Sequence, residues 1–133
     1  IVTNGPRPVS FAAAGPRFAR SATTARAVFT GFARSKAARE GDTTGCGDTF
    51  TGGVIASLAD QMESLRARPR AEAAATTAPD GRLDLAAAVV RGIASGAFCL
   101  THLGGTFIEA AAGEKLGRVR EVEELYGRSE ASS

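Results

Sequence analysis

The chain has 133 residues, 44% of them hydrophobic, with 16 basic against 14 acidic side chains and a net charge of +2. That length supports one domain with a core of its own, and the near balance of charge gives no ground for a nucleic-acid partner. No run approaches the ~18 continuous apolar residues of a membrane span, and the two cysteines, Cys46 and Cys99, lack the C-x-x-C or histidine spacing of a zinc site. Both cysteines stand among small or apolar residues, which predicts reduced thiols and a cytoplasmic protein. No signal-peptide pattern is visible.

From the N terminus, Ile1-Val2-Thr3-Asn4-Gly5 predicts the end of a buried strand entering a turn. Pro6-Arg7-Pro8 suits the turn, because proline has no N–H for a central ladder. Val9-Ser10-Phe11-Ala12 predicts the return strand of a hairpin. A chain that opens at Ile1, inside a strand-like run, predicts a fragment of a longer fold. Between residues 13 and 41 only Ala27-Val28-Phe29-Thr30-Gly31-Phe32 looks strand-like. From Thr49 onward Phe50, Val54, Leu58, Met62 and Leu65 recur at steps of four and three, one stripe of an α-helix. Gly52 and Gly53 inside it each cost about 1 kcal/mol relative to alanine, which predicts close backbone packing. Residues 66 to 81, with Pro69, Pro79 and an Ala/Thr run, predict an exposed loop. Arg66, Arg68 and Arg70 have no interleaved aromatics and predict a solvated face.

Asp84 predicts the cap of a second helix, from Leu85 to Leu100, with Leu85, Val89, Val90, Ile93, Ala97 and Leu100 as its apolar face. Gly104-Gly105 then breaks the chain. Glu114 to Tyr126 predicts a terminal helix with Val119, Val122 and Leu125 on one side, and Ser129 to Ser133 a frayed polar tail. No internal repeat is present.

The densest chemistry lies in Asp42-Thr43-Thr44-Gly45-Cys46-Gly47-Asp48-Thr49-Phe50-Thr51-Gly52-Gly53. Two carboxylates bracket a glycine-rich turn, and a helical pattern begins directly behind it. Glycines let backbone N–H groups converge, because no Cβ blocks the approach. The first N–H groups of a helix have no internal partner, and the helix dipole adds positive potential there. Such a turn binds anions, above all phosphate. An aspartate at its far edge can take a proton from an attacking hydroxyl. The local chemistry is phosphoryl transfer to an alcohol.

The stretch Asp42-Thr43-Thr44-Gly45-Cys46-Gly47-Asp48-Thr49-Phe50 resembles the D-T-x-G-A-G-D-x-F signature of the ribokinase-like (PfkB) carbohydrate kinases. One defined position departs: Cys46 stands for alanine, and cysteine packs like a small hydrophobe. The resemblance implies an α/β chain, the C-terminal portion of the larger domain of a three-layer α/β/α ribokinase-like fold. Residues 1–128 would be the ATP-binding and catalytic part and 129–133 a tail. Family members are roughly twice this length, so much of the sheet, most sugar contacts and the lid, with any homodimer formed through it, would lie in the part this chain lacks.

The same resemblance assigns site residues. Asp48 matches the catalytic base; the competing reading is a helix-capping aspartate. Gly45, Cys46 and Gly47 match the anion hole, whose N–H groups stabilise charge on the transferred phosphoryl group. Thr3 and Gly5 match a strand ending in T-x-G near the nucleotide phosphates, although Pro6-Arg7-Pro8 displaces the usual second glycine. Asp42 and Thr44 match positions that hold a monovalent cation, usually K+, with carbonyls between Cys99 and Gly104 completing the site; the competing reading is that Asp42 only holds the turn. Mg2+ is expected with ATP. Ile93 stands where many members carry a nucleotide-contacting asparagine, and Ser95 is the nearby polar substitute. His102 matches a position near the nucleotide and the cation loop, as pocket wall more than catalyst. Gly104 and Gly105 allow close backbone approach. Cys46 lacks a nearby histidine to make it a nucleophile, but its helix N-terminus predicts a lowered thiol pKa and sensitivity to oxidation.

The leading expectation is an ATP-dependent kinase acting on a sugar or related small polyol. A nucleoside kinase of the same superfamily is the second, and a non-catalytic nucleotide- or sugar-binding protein on a degenerate kinase fold the third. A dinucleotide-binding dehydrogenase and a P-loop kinase are excluded by the absence of G-x-G-x-x-G after a strand and of G-K-[ST].

Overall fold

Alternation in Val9-Ser10-Phe11-Ala12 builds the sheet. Val9 and Phe11 are buried, whereas Ser10 and Ala12 face outward, as the two-residue period of a strand requires. The structure, a computed structural model, describes residues 1–19, 21–26, 32, 40–67 and 81–131. Three antiparallel strands, β1 (Val2–Asn4), β2 (Arg7–Ala13) and β3 (Ser21–Ala25), lie in the order β1-β2-β3. The β2–β3 hairpin is regular, from Val9 opposite Ala25 to Ala13 opposite Ser21. In β1–β2, Asn4 pairs with Arg7 and Val2 with Ser10, so β2 carries an extra residue across this step. Pro8 lies at that irregularity, where its missing N–H breaks no regular ladder.

The hairpin turn falls at Gly5-Pro6, with Gly5 at φ 53°. β1 is not the buried strand its apolar letters predict. Ile1 is 52% and Val2 67% exposed, because among the described residues β1 pairs only with β2 and no helix covers it. The strand-like run at 27–31 lies outside the described residues, as do positions 68–80 of the expected loop.

Among the described residues three long helices complete a mixed α/β arrangement that is mostly helical: α1 (Cys46–Ala67), α2 (Leu85–Leu100) and α3 (Glu114–Ala131). α2 begins and ends where the sequence predicts. Asp84 caps it, its carboxylate accepting from the Ala87 N–H at 3.0 Å. Leu85, Ala88, Val89, Gly92, Ile93, Ala94, Ser95, Phe98 and Cys99 are all buried, a wider face than predicted, because the sheet, α1 and α3 each pack on α2.

α1 starts at Cys46 instead of Thr49, and its buried line is Gly53, Val54, Ser57 and Gln61. Met62, placed on the apolar stripe by periodicity, is 40% exposed. Small residues turn the helix onto this line. A Cβ at Gly53 would lie 2.4 Å from Ser95 Oγ, and one at Gly92 would lie 2.6 Å from a Val54 methyl. Gly52 meets nothing within 4 Å, so of the two α1 glycines only Gly53 carries the predicted close packing. Further along, the Gln61 side chain clamps the start of α2. Its amide nitrogen donates to Asp84 O at 3.0 Å, and its oxygen accepts from the Asp84 N–H at 2.6 Å.

α3 packs through Val119, Val122 and Tyr126. Leu125 is 37% exposed, so the stripe closes on Tyr126. The helix runs to Ala131, into the span predicted as a frayed tail. Arg91 of α2 pairs with Glu123 of α3 and lies 3.8 Å from Asp60 of α1, joining all three helices. None of the helices, among the described residues, is long and apolar enough to cross a membrane.

The two glycines of α1 should respond oppositely to a methyl group. Gly53→Ala is expected to destabilise the fold by about 1–3 kcal/mol through overpacking. Gly52→Ala is expected to stabilise it by up to about 1 kcal/mol through helix propensity. Urea unfolding of the two variants checks both signs.

Candidate functional site

Gly45 enters the left-handed region, φ 76°, and turns the chain into α1. At the helix start the Cys46 N–H is taken by Thr43 O at 3.2 Å, and Gly45 O accepts from the Thr49 N–H at 2.9 Å. The N–H groups of Gly47 and Asp48 find no acceptor among the described residues. Of the predicted anion-hole residues, Cys46 therefore spends its amide inside the turn, whereas the Gly45 amide, like those of Gly47 and Asp48, finds no acceptor among the described residues. Asp48 lies in the first turn of α1, where its charge complements the helix dipole. Its carboxylate is exposed and, among the described residues, makes no hydrogen bond or ion pair.

Asp42 is used quite differently. Oδ1 accepts from the Thr44 N–H at 2.9 Å, Oδ2 from the Gly104 N–H at 2.8 Å, and its own N–H donates to Leu100 O at 3.1 Å. One side chain thus ties the signature turn to the turn after α2, Leu103–Gly105, where Gly104 and Gly105 both take positive φ. The Thr44 amide, then the Gly104 amide, then the Thr44 side chain hold the Asp42 carboxyl below the ordinary value of 3.8. A Cβ on Gly105 would lie 2.4 Å from Thr44 O, so the two turns touch at backbone distance.

Cys99 sits at this crossing, a role that sequence reasoning did not assign. It is buried, with Sγ 3.6 Å from Thr44 O and 3.7 Å from Gly105 O. The available signal was its place one helical turn beyond Gly96, whose absent Cβ would lie 3.2 Å from Cys46 O. The Cys46 thiol points to Asp42 O at 3.7 Å. Burial, then Cys99, then Asp42 push this thiol up to about 11 from an ordinary 9.0. The lowered pKa expected from the helix N-terminus is overturned, since burial and the neighbouring groups outweigh the dipole. Both cysteines are free.

Beside the turn opens a cleft of about 610 Å3. Thr3 of β1 with Gly5 and Pro6 of the β1–β2 turn forms one wall, and Thr43, Cys46 and Gly47 of the signature another. Phe50, Ile93, Ala97 and Leu100 give it an apolar lining, with Val9 and Phe32. Thr3, Gly5, Cys46 and Gly47 are thus brought together from sites more than forty positions apart in sequence.

Three other predicted contacts are not brought to the cleft. Ser95 is buried between α1 and α2, donating to Arg91 O at 2.8 Å and standing against Gly53. His102 joins Phe98 and Phe107 in an aromatic trio, with ring centroids 4.6 and 5.0 Å away, and its Nδ1 lies 2.9 Å from Thr101 Oγ1. Gly104 serves Asp42.

For a hard monovalent cation the crossing offers oxygen donors of the right kind: the Asp42 carboxylate and the Thr44 and Gly105 carbonyls. No three His, Cys, Asp or Glu side chains gather for a metal ion among the described residues. Protein-family models, curated proteins and solved structures give no match to this chain. The family resemblance rests on the signature residues.

Asp42 contributes stability above the ordinary carboxyl value, and that contribution is lost as pH falls through its lower folded-state value. Asp42→Asn is expected to be less stable at neutral pH and to show a flatter acid limb in thermal unfolding between roughly pH 5 and 2. Cys46 at about 11 holds on the order of one thiolate in 10^3–10^4 at neutral pH. Iodoacetamide is expected to label the native thiols far more slowly than the unfolded chain, read by mass spectrometry.

Proposed function

We propose that this chain carries the phosphoryl-transfer centre of an ATP-dependent kinase acting on a sugar hydroxyl, of the ribokinase-like (PfkB) type. The observation that carries the reading is the placement of the signature. Two open amides, Gly47 and Asp48, and one free carboxylate, Asp48, share the first turn of a helix at the rim of a nucleotide-sized cleft.

Nucleotide and acceptor would occupy different sides of that turn. The cleft takes the nucleoside, the amides take the oxygens of the transferring phosphoryl group, and the acceptor lies over Asp48, which does not line the cleft. Asp48 accepts the proton of the sugar hydroxyl while that oxygen bonds to the γ-phosphorus. The bond from phosphorus to the bridging oxygen breaks, and ADP leaves with its electron pair. Catalysis of this kind is mainly positioning and charge stabilisation, and the carboxylate adds a factor of about 10^2–10^4. Asp42 and the Thr44 carbonyl would hold a potassium ion where one is used, adding positive charge behind the turn. The described sheet and helices would then be part of the larger domain of a three-layer α/β/α fold in a cytoplasmic enzyme.

The reading is tested on the intact protein by following ADP release from Mg-ATP across pentoses, hexoses, sugar acids and nucleosides, with and without potassium. Release dependent on one sugar is the expected result. Asp48→Asn is expected to lower kcat by about 10^2–10^4 while ATP affinity is retained. Undiminished turnover in that variant would remove Asp48 as the base. Nucleotide binding with no acceptor turned over would leave a binding protein.

A further inference from the structure

The chain's two cysteines meet where the signature turn crosses the turn after α2. Cys46 opens α1, and Cys99 lies in the last turn of α2. The residue before Cys46 is Gly45, and a Cβ there would lie 3.9 Å from Cys99 Sγ. One helical turn before Cys99, a Cβ on Gly96 would lie 3.2 Å from Cys46 O. The two backbones therefore flank one another. Both sulfurs turn toward carbonyls of the signature turn: Cys46 Sγ stands 3.7 Å from Asp42 O, and Cys99 Sγ 3.6 Å from Thr44 O. The thiols also act on each other, since Cys99 is, after burial, the next cause that pushes the Cys46 thiol up.

The two sulfurs differ in access. Cys46 is half-buried and lines the cleft, whereas Cys99 is buried behind it. An oxidant entering the cleft reaches Cys46 first. Independently of the kinase reading, we propose that Cys46 and Cys99 are a redox pair: a peroxide oxidises Cys46, and Cys99 closes a disulfide that joins the start of α1 to the end of α2. In a reducing compartment the dithiol is the resting state, and disulfides formed there are transient and redox-sensing.

The chemistry runs in two steps. The Cys46 sulfur takes one oxygen from the peroxide, whose other oxygen leaves as water, and a sulfenic acid is formed. The Cys99 sulfur then attacks the Cys46 sulfur. The S–S bond forms as the S–O bond breaks, and the hydroxyl leaves as water with the Cys99 proton. Two electrons pass from the pair of thiols to the peroxide. Burial keeps the Cys46 thiolate scarce, so the first step is slow; the second needs no encounter, because the partner is already in place. A small dithiol reverses the link by exchange. The S–S bond is about 2 Å long, so closing it draws Cys46 Sγ from Asp42 O and Cys99 Sγ from the Thr44 and Gly105 carbonyls. Oxidation thus acts on the crossing that supports the Gly47 and Asp48 amides.

The test exposes the intact, reduced protein to hydrogen peroxide in dilute solution, with and without urea. Remaining thiols are alkylated in denaturant, and the non-reduced digest is mapped by mass spectrometry. In buffer Cys46 and Cys99 are expected to lose alkylation together and to appear in one joined pair of peptides, and dithiothreitol is expected to restore both thiols. Cys99→Ser is expected to leave Cys46 carrying oxygen alone, with no internal link. Thiols that stay open to alkylation, sulfurs oxidised singly to sulfinic acid, or links only between two copies overturn the proposal. A link formed only in urea overturns it too, since the fold would then keep the sulfurs apart. The wild-type map decides whether or not Cys99→Ser folds. None of these outcomes bears on the kinase reading, which uses neither sulfur.

Discussion

The contact between α1 and α2 is the constraint on which the rest of the structure depends. It exists because three positions lack a Cβ. Gly53 admits Ser95 and the Arg91 carbonyl, Gly92 admits Val54 and Phe50, and Gly96 admits the Cys46 backbone. The two helices run antiparallel at this spacing, so the first turn of α1 must lie beside the last turns of α2. A larger residue at any of these points would push the helices apart and separate the signature turn from the turn that follows α2.

That separation would matter because the signature turn is tied to the turn after α2. Its geometry depends on Asp42, which accepts one amide from its own turn and one from Gly104. Charge-assisted bonds of this type are stronger than neutral ones, and here they link segments 62 positions apart. Cys99, lying between the Thr44 and Gly105 carbonyls, fills the space behind the same crossing. The open amides of Gly47 and Asp48 owe their fixed direction to this support, and preorganised donors are what make an anion site effective.

Much of this could be read from the sequence where one physical signal dominated. The second helix was legible to the residue, since Asp84 is a strong cap and Gly104-Gly105 a strong stop. The turn into α1 was legible because glycines directly ahead of a helical pattern mark a helix start. The buried line of α1 was not legible, because hydrophobic periodicity selects Met62 and cannot weigh glycine contacts with a partner helix. Ser95 falls under the same limit: its hydroxyl reads as a ligand group in the sequence, and the structure sets it against Gly53 with its proton on Arg91 O. The exposure of β1 depends on which strands neighbour it, a property of tertiary arrangement that the letters of Ile1 to Asn4 do not carry. The packing role of Cys99 was not legible, because a single cysteine on an apolar helix carries no spacing signal.

The two aspartates of the signature show how environment divides equal chemistry. Asp42 and Asp48 flank the same turn and carry the same carboxylate. Asp42 has both oxygens occupied by amide donors, which hold it ionised and fix it in place. A group so committed is a poor proton acceptor, because taking a proton would cost it the bonds that position the turn. Asp48 is exposed and makes no such bonds among the described residues, yet the helix end beneath it fixes its backbone. Its side chain can therefore meet a partner without disturbing the backbone of the turn. What separates the two is hydrogen-bond occupancy: the Asp42 carboxylate holds two amides from two turns, and that of Asp48 holds none among the described residues.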